Sequence, residues 1–231
     1  MRPGGTATLA LMPSDADVGT NAHSAVESRA QGRAARGGTP RQSHADWRPS
    51  PTRADPISLL EEQAQSRVPE LVPIRYGRML ASPFAFFRGA ALVMASDLVS
   101  TPCSGLHVQL CGDAHLSNFG IFGTPERRLV FDINDFDETS RGPWEWDVKR
   151  LAASIVVASR DRGLSSRLGH TTALTVVRAY RIAMRRFAAM RNLDVWYSRL
   201  DVEELLRSHR TEFARATLKT AAASVARART A

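Results

Sequence analysis

Two short polar clusters in the middle of the chain carry the side chains whose types and spacing could do chemistry. Each cluster follows an apolar, strand-like run, and their carboxylate and amide side chains are Asp113, Asn118, Asp135 and Asp137. A carboxylate can accept a hydroxyl proton, and carboxylate and amide oxygens are hard ligands that suit Mg²⁺. Phosphoryl transfer depends mainly on positioning and charge neutralisation. The clusters therefore predict the base-and-metal half of a site that handles a metal-bound phosphate.

Most of these residues also admit a purely structural interpretation. Asp113 and Asn118 could belong to a loop held by Asx hydrogen bonds, but the presence of the second cluster favours a site. Asp137 is either a second metal ligand or a solvated loop acid. His115 could bind a metal, although a structural hydrogen bond within the loop is favoured.

Arg88 and Gly112 are expected to support the site rather than to react. Arg88 stands in an apolar helical run and should have a partner, for which a salt bridge to a buried acid such as Asp147 is favoured over a phosphate contact. Gly112 opens the first cluster. Cys111 precedes it, and with Cys103 it is expected to stay reduced in the core, although a single bridge remains an alternative.

The elements that must position the clusters follow from hydrophobic periodicity. Alternating apolar side chains indicate strands over 106–111, 119–122 and 129–133, which places the clusters at strand ends or in connecting loops. Ser82 before Pro83 predicts a helix N-cap. The predicted helices cover 57–64, 74–80, 84–98, 148–156, 166–190, 201–209 and 211–230. The fold class is therefore α+β and mainly helical.

The composition of residues 1–54 differs from that of the rest. These residues are rich in Gly, Pro, Ser, Thr, Ala and Arg, so they cannot bury enough apolar surface to offset the entropy of ordering. We expect a disordered leader here and one ordered domain over 55–231. No segment has the length of a signal-peptide apolar region or of a membrane span, which favours a cytoplasmic protein without a membrane partner.

The net charge of +8 would suit a nucleic-acid-binding protein. The excess is arginine scattered along the chain without an aromatic-interleaved patch, and Lys149 and Lys219 are the only lysines. A solvated basic surface is therefore favoured, and no specific nucleic-acid partner is expected.

The clusters resemble the catalytic segment of aminoglycoside phosphotransferases and related small-molecule kinases. The shared pattern is Gly112-Asp113-x-His115-x-x-Asn118, a strand, Asp135-Phe136-Asp137, and then Trp146-Asp147 at the head of a helix. The resemblance implies a kinase-like helical lobe with a small strand unit. In it Asp113 is the catalytic base, and Asn118 and Asp135 hold Mg²⁺. Asp147 is a buried anchor for the catalytic loop, and Cys111 replaces a histidine whose role is mainly structural.

A closer resemblance, over about residues 40–231, is to the uncharacterised bacterial domain-of-unknown-function family 2252. It rests on the segments 43–47, 67–75, 83–89 and 112–120. That family has no established activity. The resemblance implies that a glycine-rich strand pair and a lysine follow the point where this chain ends, so we expect a C-terminally truncated domain that lacks its nucleotide-covering lobe.

Three functions are compatible with these observations. The first is a phosphotransferase that uses Mg²⁺ and ATP, both implied by the resemblance, and acts on a small hydroxylated molecule. The second is an inactive fragment, pseudoenzyme or binding module, because the chain has no G-x-G-x-x-G loop with its lysine. The third is a metal-dependent phosphohydrolase, since several carboxylates can hold two cations. A missing lobe would also leave an apolar face exposed, which predicts self-association.

Overall fold

The computed structural model describes residues 24–45 and 47–208 of the chain. This part is mainly helical with small antiparallel sheets, which confirms the predicted α+β class. The helices are α1 (Ala25–Gly38), α2 (Pro56–Ala64), α3 (Val72–Met79), α4 (Pro83–Gly89), α5 (Ala91–Leu98), α6 (Glu145–Asp161), α7 (Ser166–Phe187), α8 (Asn192–Trp196) and α9 (Val202–Ser208). The strands are β1 (His107–Leu110), β2 (Phe119–Gly123), β3 (Leu129–Ile133) and β4 (Ser140–Pro143). Over the described residues, no helix has the length and apolar character needed to cross a membrane.

The pairing of the strands brings the two polar clusters together. β1 pairs with β4, and β2 with β3, both antiparallel. The end of β1 lies beside the start of β4, where Leu110 faces Ser140, and the start of β2 lies beside the end of β3. The first loop (residues 111–118) joins β1 to β2, and the second loop (residues 134–139) joins β3 to β4. Both ends of the first loop therefore lie next to an end of the second.

α6 connects the helices to the loops. It contacts α4, α5 and α7, and also the short 3-10 turn Leu116–Asn118 in the first loop. Its apolar side buries Ile155 and Ala158. A separate apolar cluster joins α2 to α5 through Leu60, Met79, Ala90 and Val93. The loops thus lie against a packed helical layer, which can hold their side chains in fixed positions.

The predicted start of α4 is confirmed, whereas its predicted end is wrong. The Ser82 hydroxyl accepts a hydrogen bond from the backbone N–H of Ala85 at 3.1 Å, as an N-cap does. The apolar run that begins there is divided, because α4 ends at Gly89. A Cβ at this glycine would overlap the Met79 side chain, so Gly89 allows α3 and α4 to approach closely.

The predicted disordered leader, residues 1–54, contains helix α1. The prediction of disorder is therefore wrong for the residues of α1. The Ser24 hydroxyl accepts from the backbone N–H of Glu27, whose carboxylate accepts from the backbone N–H of Ser24. This capping box and a run of alanine and arginine favour a helix locally. α1 has no buried residue, so it forms without the apolar burial that the composition lacks. Residues 1–23 lie outside the described part.

Two other elements differ from the sequence prediction. β4 was not predicted, because Ser-Arg-Gly-Pro has no apolar alternation and forms a strand only by pairing with β1. α7 ends at Phe187 rather than at residue 190, and α8 follows as a separate short helix. The helix predicted over 211–230 lies outside the described residues.

Candidate functional site

The side chain of Asn118 joins the two loops. Its amide oxygen accepts from the backbone N–H of Asp135 at 2.9 Å, and its amide nitrogen donates to the backbone carbonyls of Asp135 and Asp113, both at 3.0 Å. The residue is 5% exposed, so these bonds are shielded from water. Asn118 therefore fixes the separation of the two loops. Its oxygen meets a backbone N–H, and the residue does not line the cleft described below, so this geometry does not present it as the predicted Mg²⁺ ligand.

A polar stripe on α6 holds the first loop at three points. The residues are Asp147, Arg150 and Ser154, whose spacing places them on one face of the helix. The Asp147 carboxylate accepts from the backbone N–H groups of Cys111 (2.7 Å) and Gly112 (3.1 Å). Ser154, which is fully buried, accepts from the backbone N–H of Leu116 at 3.0 Å and donates to its own helix.

Arg150 supplies the middle contact of this stripe. Its Nε donates to Asp113 Oδ1 at 2.5 Å, and its Nη2 donates to the backbone carbonyl of Phe87 at 2.9 Å. The guanidinium also lies over the Phe87 ring, 4.5 Å from the centroid. Arg150 is 3% exposed, so this buried charge depends on Asp113 for neutralisation. The pairing leaves Asp113 Oδ2 as the carboxylate oxygen not bonded to Arg150.

His115 is the nearest titratable neighbour of that second oxygen. Its Nε2 lies 3.7 Å from Asp113 Oδ2, and its Nδ1 is buried without a hydrogen-bond partner within the described residues. Burial lowers the pKa of His115, which outweighs the raising effect of the Asp113 charge. Among the described residues the structural hydrogen bond predicted for this residue is not found at Nδ1, although the side chain does lie in the loop.

Burial also shifts the acids beneath the first loop. Desolvation raises the pKa of the Asp147 carboxyl, against the two backbone N–H groups that stabilise its charge. Desolvation likewise raises the pKa of the Cys111 thiol, so this cysteine is not activated as a nucleophile. Cys103 and Cys111 are both free, but only Cys111 is buried, so the core position expected for Cys103 is wrong.

Gly112 allows the two loops to touch. It has a φ of +84°, a conformation that side chains disfavour. A Cβ at this position would also overlap the backbone carbonyl of Glu138 in the second loop. Both backbone conformation and close approach therefore require glycine immediately before Asp113.

A cleft of about 780 Å³ opens beside the loops. The loops contribute His115 and four carboxylates to its lining: Asp113, Asp135, Asp137 and Glu138. The helical side contributes four arginines, which we call the arginine wall: Arg67, Arg75, Arg78 and Arg88. Among the described residues, one ion pair joins the two sets, between Arg67 Nη2 and Glu138 Oε1 at 3.6 Å. Opposite charges thus line one cleft and remain largely unpaired with each other.

The predicted salt bridge between Arg88 and Asp147 is wrong. No ion pair between Arg88 and Asp147 is found in the described part of the chain, and the Arg88 side chain is exposed in the cleft. The buried arginine that pairs with a site acid is Arg150, on a different helix. Arg88 lies in the last turn of α4, where α4 and α6 pack through Phe87 and Arg150, so its own side chain turns outward.

Sequence reasoning missed the other three arginines of the wall and Arg150. The stripe spacing of Asp147, Arg150 and Ser154 was available as a signal, because three polar residues at helical intervals between apolar ones require buried partners. For Arg75 and Arg78 the only signal was their spacing of three residues, which is also typical of a solvated helix face.

Two carboxylates of the second loop remain as candidate metal ligands. Asp135 and Asp137 are exposed in the cleft, and Asp135 Oδ1 accepts from the backbone N–H of Asp137 at 3.0 Å. No group of three or more His, Cys, Asp or Glu side chains that could hold a metal is found among the described residues. The donors fit an ion such as Mg²⁺, which commonly binds one or two carboxylates together with substrate phosphates and water.

The chain belongs to the family described as "Uncharacterized protein conserved in bacteria (DUF2252)", whose profile matches residues 67–231. The match begins at the first arginine of the wall and includes both loops and the α6 stripe. Comparison with curated proteins and with solved structures found no match.

Proposed function

We propose that this member of the DUF2252 family is a phosphotransferase that uses Mg²⁺ and ATP and acts on a small hydroxylated molecule. The observation that carries the proposal is the distribution of charge in the cleft. Carboxylates from two loops and guanidinium groups from the helices line the same space, with a single ion pair between them in the described part. A metal-bound phosphate has positive and negative parts that match such a lining.

Asp113 is the residue that would accept the substrate proton. Arg150 holds Oδ1, so Oδ2 is the oxygen available to a hydroxyl group. In the proposed reaction the hydroxyl oxygen attacks the γ-phosphorus of ATP while its proton moves to Asp113 Oδ2. The bond between that phosphorus and the bridging oxygen breaks, and ADP leaves with the electron pair. A positioned carboxylate suffices for this role, because catalysis of phosphoryl transfer depends mainly on positioning and charge neutralisation.

Asp135 and Asp137 would hold the Mg²⁺, and Asn118 would act by positioning rather than by ligation. When bound, the ion neutralises charge on the phosphate oxygens. The hydrogen bonds of Asn118 to the backbones of both loops keep the Asp135 and Asp113 side chains at one separation. Side chains that are fixed by such hydrogen bonds can keep the reacting atoms in the geometry that the reaction needs.

The test is transfer of the γ-phosphoryl group to a panel of sugars, polyols and amino alcohols, followed by phosphorus NMR. We expect transfer by the unaltered protein and a loss of at least about 100-fold in Asp113→Asn. The matched control is Asp132→Asn, because Asp132 is an exposed acid of β3 outside the cleft, where it accepts the backbone N–H of Ile133. No transfer to any acceptor, or equal transfer by both variants, would contradict the proposal.

Asp113→Asn could also reduce folding, because it removes the counter-charge of the buried Arg150. Asp135→Asn therefore provides a second variant, since its side chain is exposed and makes no ion pair within the described residues. It should retain the circular dichroism spectrum of the unaltered protein and still lose transfer. Retention of transfer in folded Asp135→Asn would exclude Asp135 from the site.

A phosphate-binding module without transfer is the second candidate. Lys149 Nζ donates to Thr101 Oγ1 at 2.8 Å, and the residue does not line the cleft. Burial lowers the pKa of Lys149, which agrees with a structural position. No lysine of the described residues therefore faces the cleft, whereas kinases use one on the nucleotide phosphates. Saturable binding of Mg-ATP with no transfer or hydrolysis would support this candidate over the enzyme.

A further inference from the structure

The arginine wall carries more hydrogen-bond donors than the chain itself uses. In the described part of the chain, the guanidinium groups of Arg67, Arg78 and Arg88 donate no hydrogen bond to the protein. The Nε of Arg67 is buried without a hydrogen-bond partner among the described residues, and its Nη2 lies 3.6 Å from Glu138 Oε1. Charge-assisted hydrogen bonds are normally 2.7–2.9 Å long, so this pair is looser than a formed bidentate contact.

The packing of α3 directs two of these arginines into the cleft. The helix is anchored by Met79, a buried residue that also borders the cleft, and by Tyr76, whose hydroxyl donates to the backbone carbonyl of Leu60 at 3.1 Å. Arg75 and Arg78 lie three residues apart, and both line the cleft. Because these contacts fix the rotation of α3, both guanidinium groups are held at the cleft, and neither forms an ion pair with another residue of α3 or α4.

Arg75 is the most constrained member of the wall. Its Nη2 donates to the backbone carbonyl of Gly89 at 2.5 Å, which ties α3 to the end of α4. Burial, followed by the positive charge of Arg67, lowers the pKa of Arg75. Two partly buried guanidinium groups therefore raise each other's electrostatic energy, and a bound anion would relieve that repulsion.

We propose that the arginine wall is a binding site for a phosphate group, with Arg67, Arg75 and Arg88 as its principal contacts. Guanidinium groups present planar pairs of donors that match phosphate oxygens bidentately. The guanidinium groups of the wall together offer more hydrogen-bond donors than a single carboxylate group could accept. This favours a phosphate group over a carboxylate group as the ligand. The phosphate could belong to a nucleotide or to a phosphorylated acceptor. This binding goes beyond the proposed function, because it requires neither a metal nor transfer.

The test is isothermal titration of the full chain with inorganic pyrophosphate in the absence of divalent metal. Arg67→Gln and Arg88→Gln should each weaken binding by about tenfold or more, since each removes charge-assisted hydrogen bonds. The matched control is Arg33→Gln, which removes the same charge from the exposed side of α1. The control should bind as the unaltered protein does. Arg75→Gln is not used alone, because it also removes the contact with Gly89.

Equal affinity in all three variants, or no binding by the unaltered protein, would overturn the inference. Thermal unfolding of each variant checks that weakened binding does not come from loss of fold. Titration with phenyl phosphate distinguishes the two sources. Tighter binding of pyrophosphate indicates a nucleotide, and tighter binding of the monoester indicates a phosphorylated acceptor.

The two proposals can fail separately. Phosphoryl transfer that depends on Asp113, with pyrophosphate affinity independent of Arg67 and Arg88, would refute the arginine site alone. Pyrophosphate binding that depends on these arginines, without transfer to any acceptor, would refute the phosphotransferase alone.

Discussion

At the scale of single residues, Arg150 determines how Asp113 can act. It is almost fully buried, and Asp113 is its ion-pair partner in the described part of the chain. Holding Oδ1 orients the carboxylate while Oδ2 lies beside His115 at 3.7 Å. The arrangement fixes the direction in which Oδ2 can meet a substrate hydroxyl group. This agrees with a reaction that depends on positioning.

His115 should make stability depend on pH. Burial holds its pKa in the folded protein below the ordinary value of 6.5. As the pH falls below that value, the unfolded chain binds a proton that the folded chain resists, so stability present above 6.5 is lost as the pH approaches the folded pKa. We expect the free energy of unfolding in urea to fall less steeply from neutral to acidic pH in His115→Gln than in the unaltered protein.

The control for this measurement is His170→Gln, since His170 is exposed on α7. Its stability profile should follow that of the unaltered protein. An unchanged slope in His115→Gln would show that the His115 imidazole does not titrate differently on folding.

At the scale of elements, the contact between the two loops depends on Gly112. Gly112→Ala should cost stability both through its positive φ and through overlap with the Glu138 carbonyl. Gly105→Ala is the matched control, because Gly105 has a φ of +74° with no atom within 4 Å of an added Cβ. The control should lose about 1–2 kcal/mol, and Gly112→Ala more than that, in denaturant unfolding. Equal losses would mean that the loops can separate freely.

The position of the loops could be predicted from the sequence, because local patterns fix it. Alternating apolar residues mark β1 to β3, and the polar clusters follow directly. β4 could not be found in this way, since only its pairing with β1 makes Ser-Arg-Gly-Pro a strand. The bonds of Asn118 to the second loop also depend on a distant pairing, that of β2 with β3, which places Asn118 beside the end of β3. Because of these bonds, Asn118, which the sequence predicts as a Mg²⁺ ligand, connects the two loops in the structure.

The arginine wall could not be predicted, because it depends on contacts distant in sequence. Arg75 and Arg78 have the spacing of a solvated helix face, and only the packing of Met79 and Tyr76 decides that this face borders the cleft. The apolar neighbours of Arg88 predicted a salt bridge to a buried acid such as Asp147. The short length of α4 leaves its last turn open to the cleft instead.

At the scale of the whole molecule, large apolar side chains are exposed around α8. Within the described residues, Trp196 is 81% exposed, Tyr197 71% and Leu193 69%. Such a patch favours association in water. We expect sedimentation velocity to show mass that increases with protein concentration, and Trp196→Ser to reduce it. Leu80→Ser is the control, because Leu80 is 82% exposed at a distant position after α3. A constant monomer mass would contradict the expected self-association.

The proposed function and the arginine site together require that the acidic second loop and the arginine wall act on one metal-bound phosphate. The direct measurement is the effect of Mg²⁺ on pyrophosphate affinity in the unaltered protein, Asp135→Asn and Asp132→Asn under identical conditions, so that metal binding by free pyrophosphate cancels. We expect Mg²⁺ to strengthen binding by about tenfold or more in the unaltered protein and Asp132→Asn, but not in Asp135→Asn. An equal effect of Mg²⁺ in all three proteins would show that Asp135 does not hold the metal, and would contradict a shared metal–phosphate site.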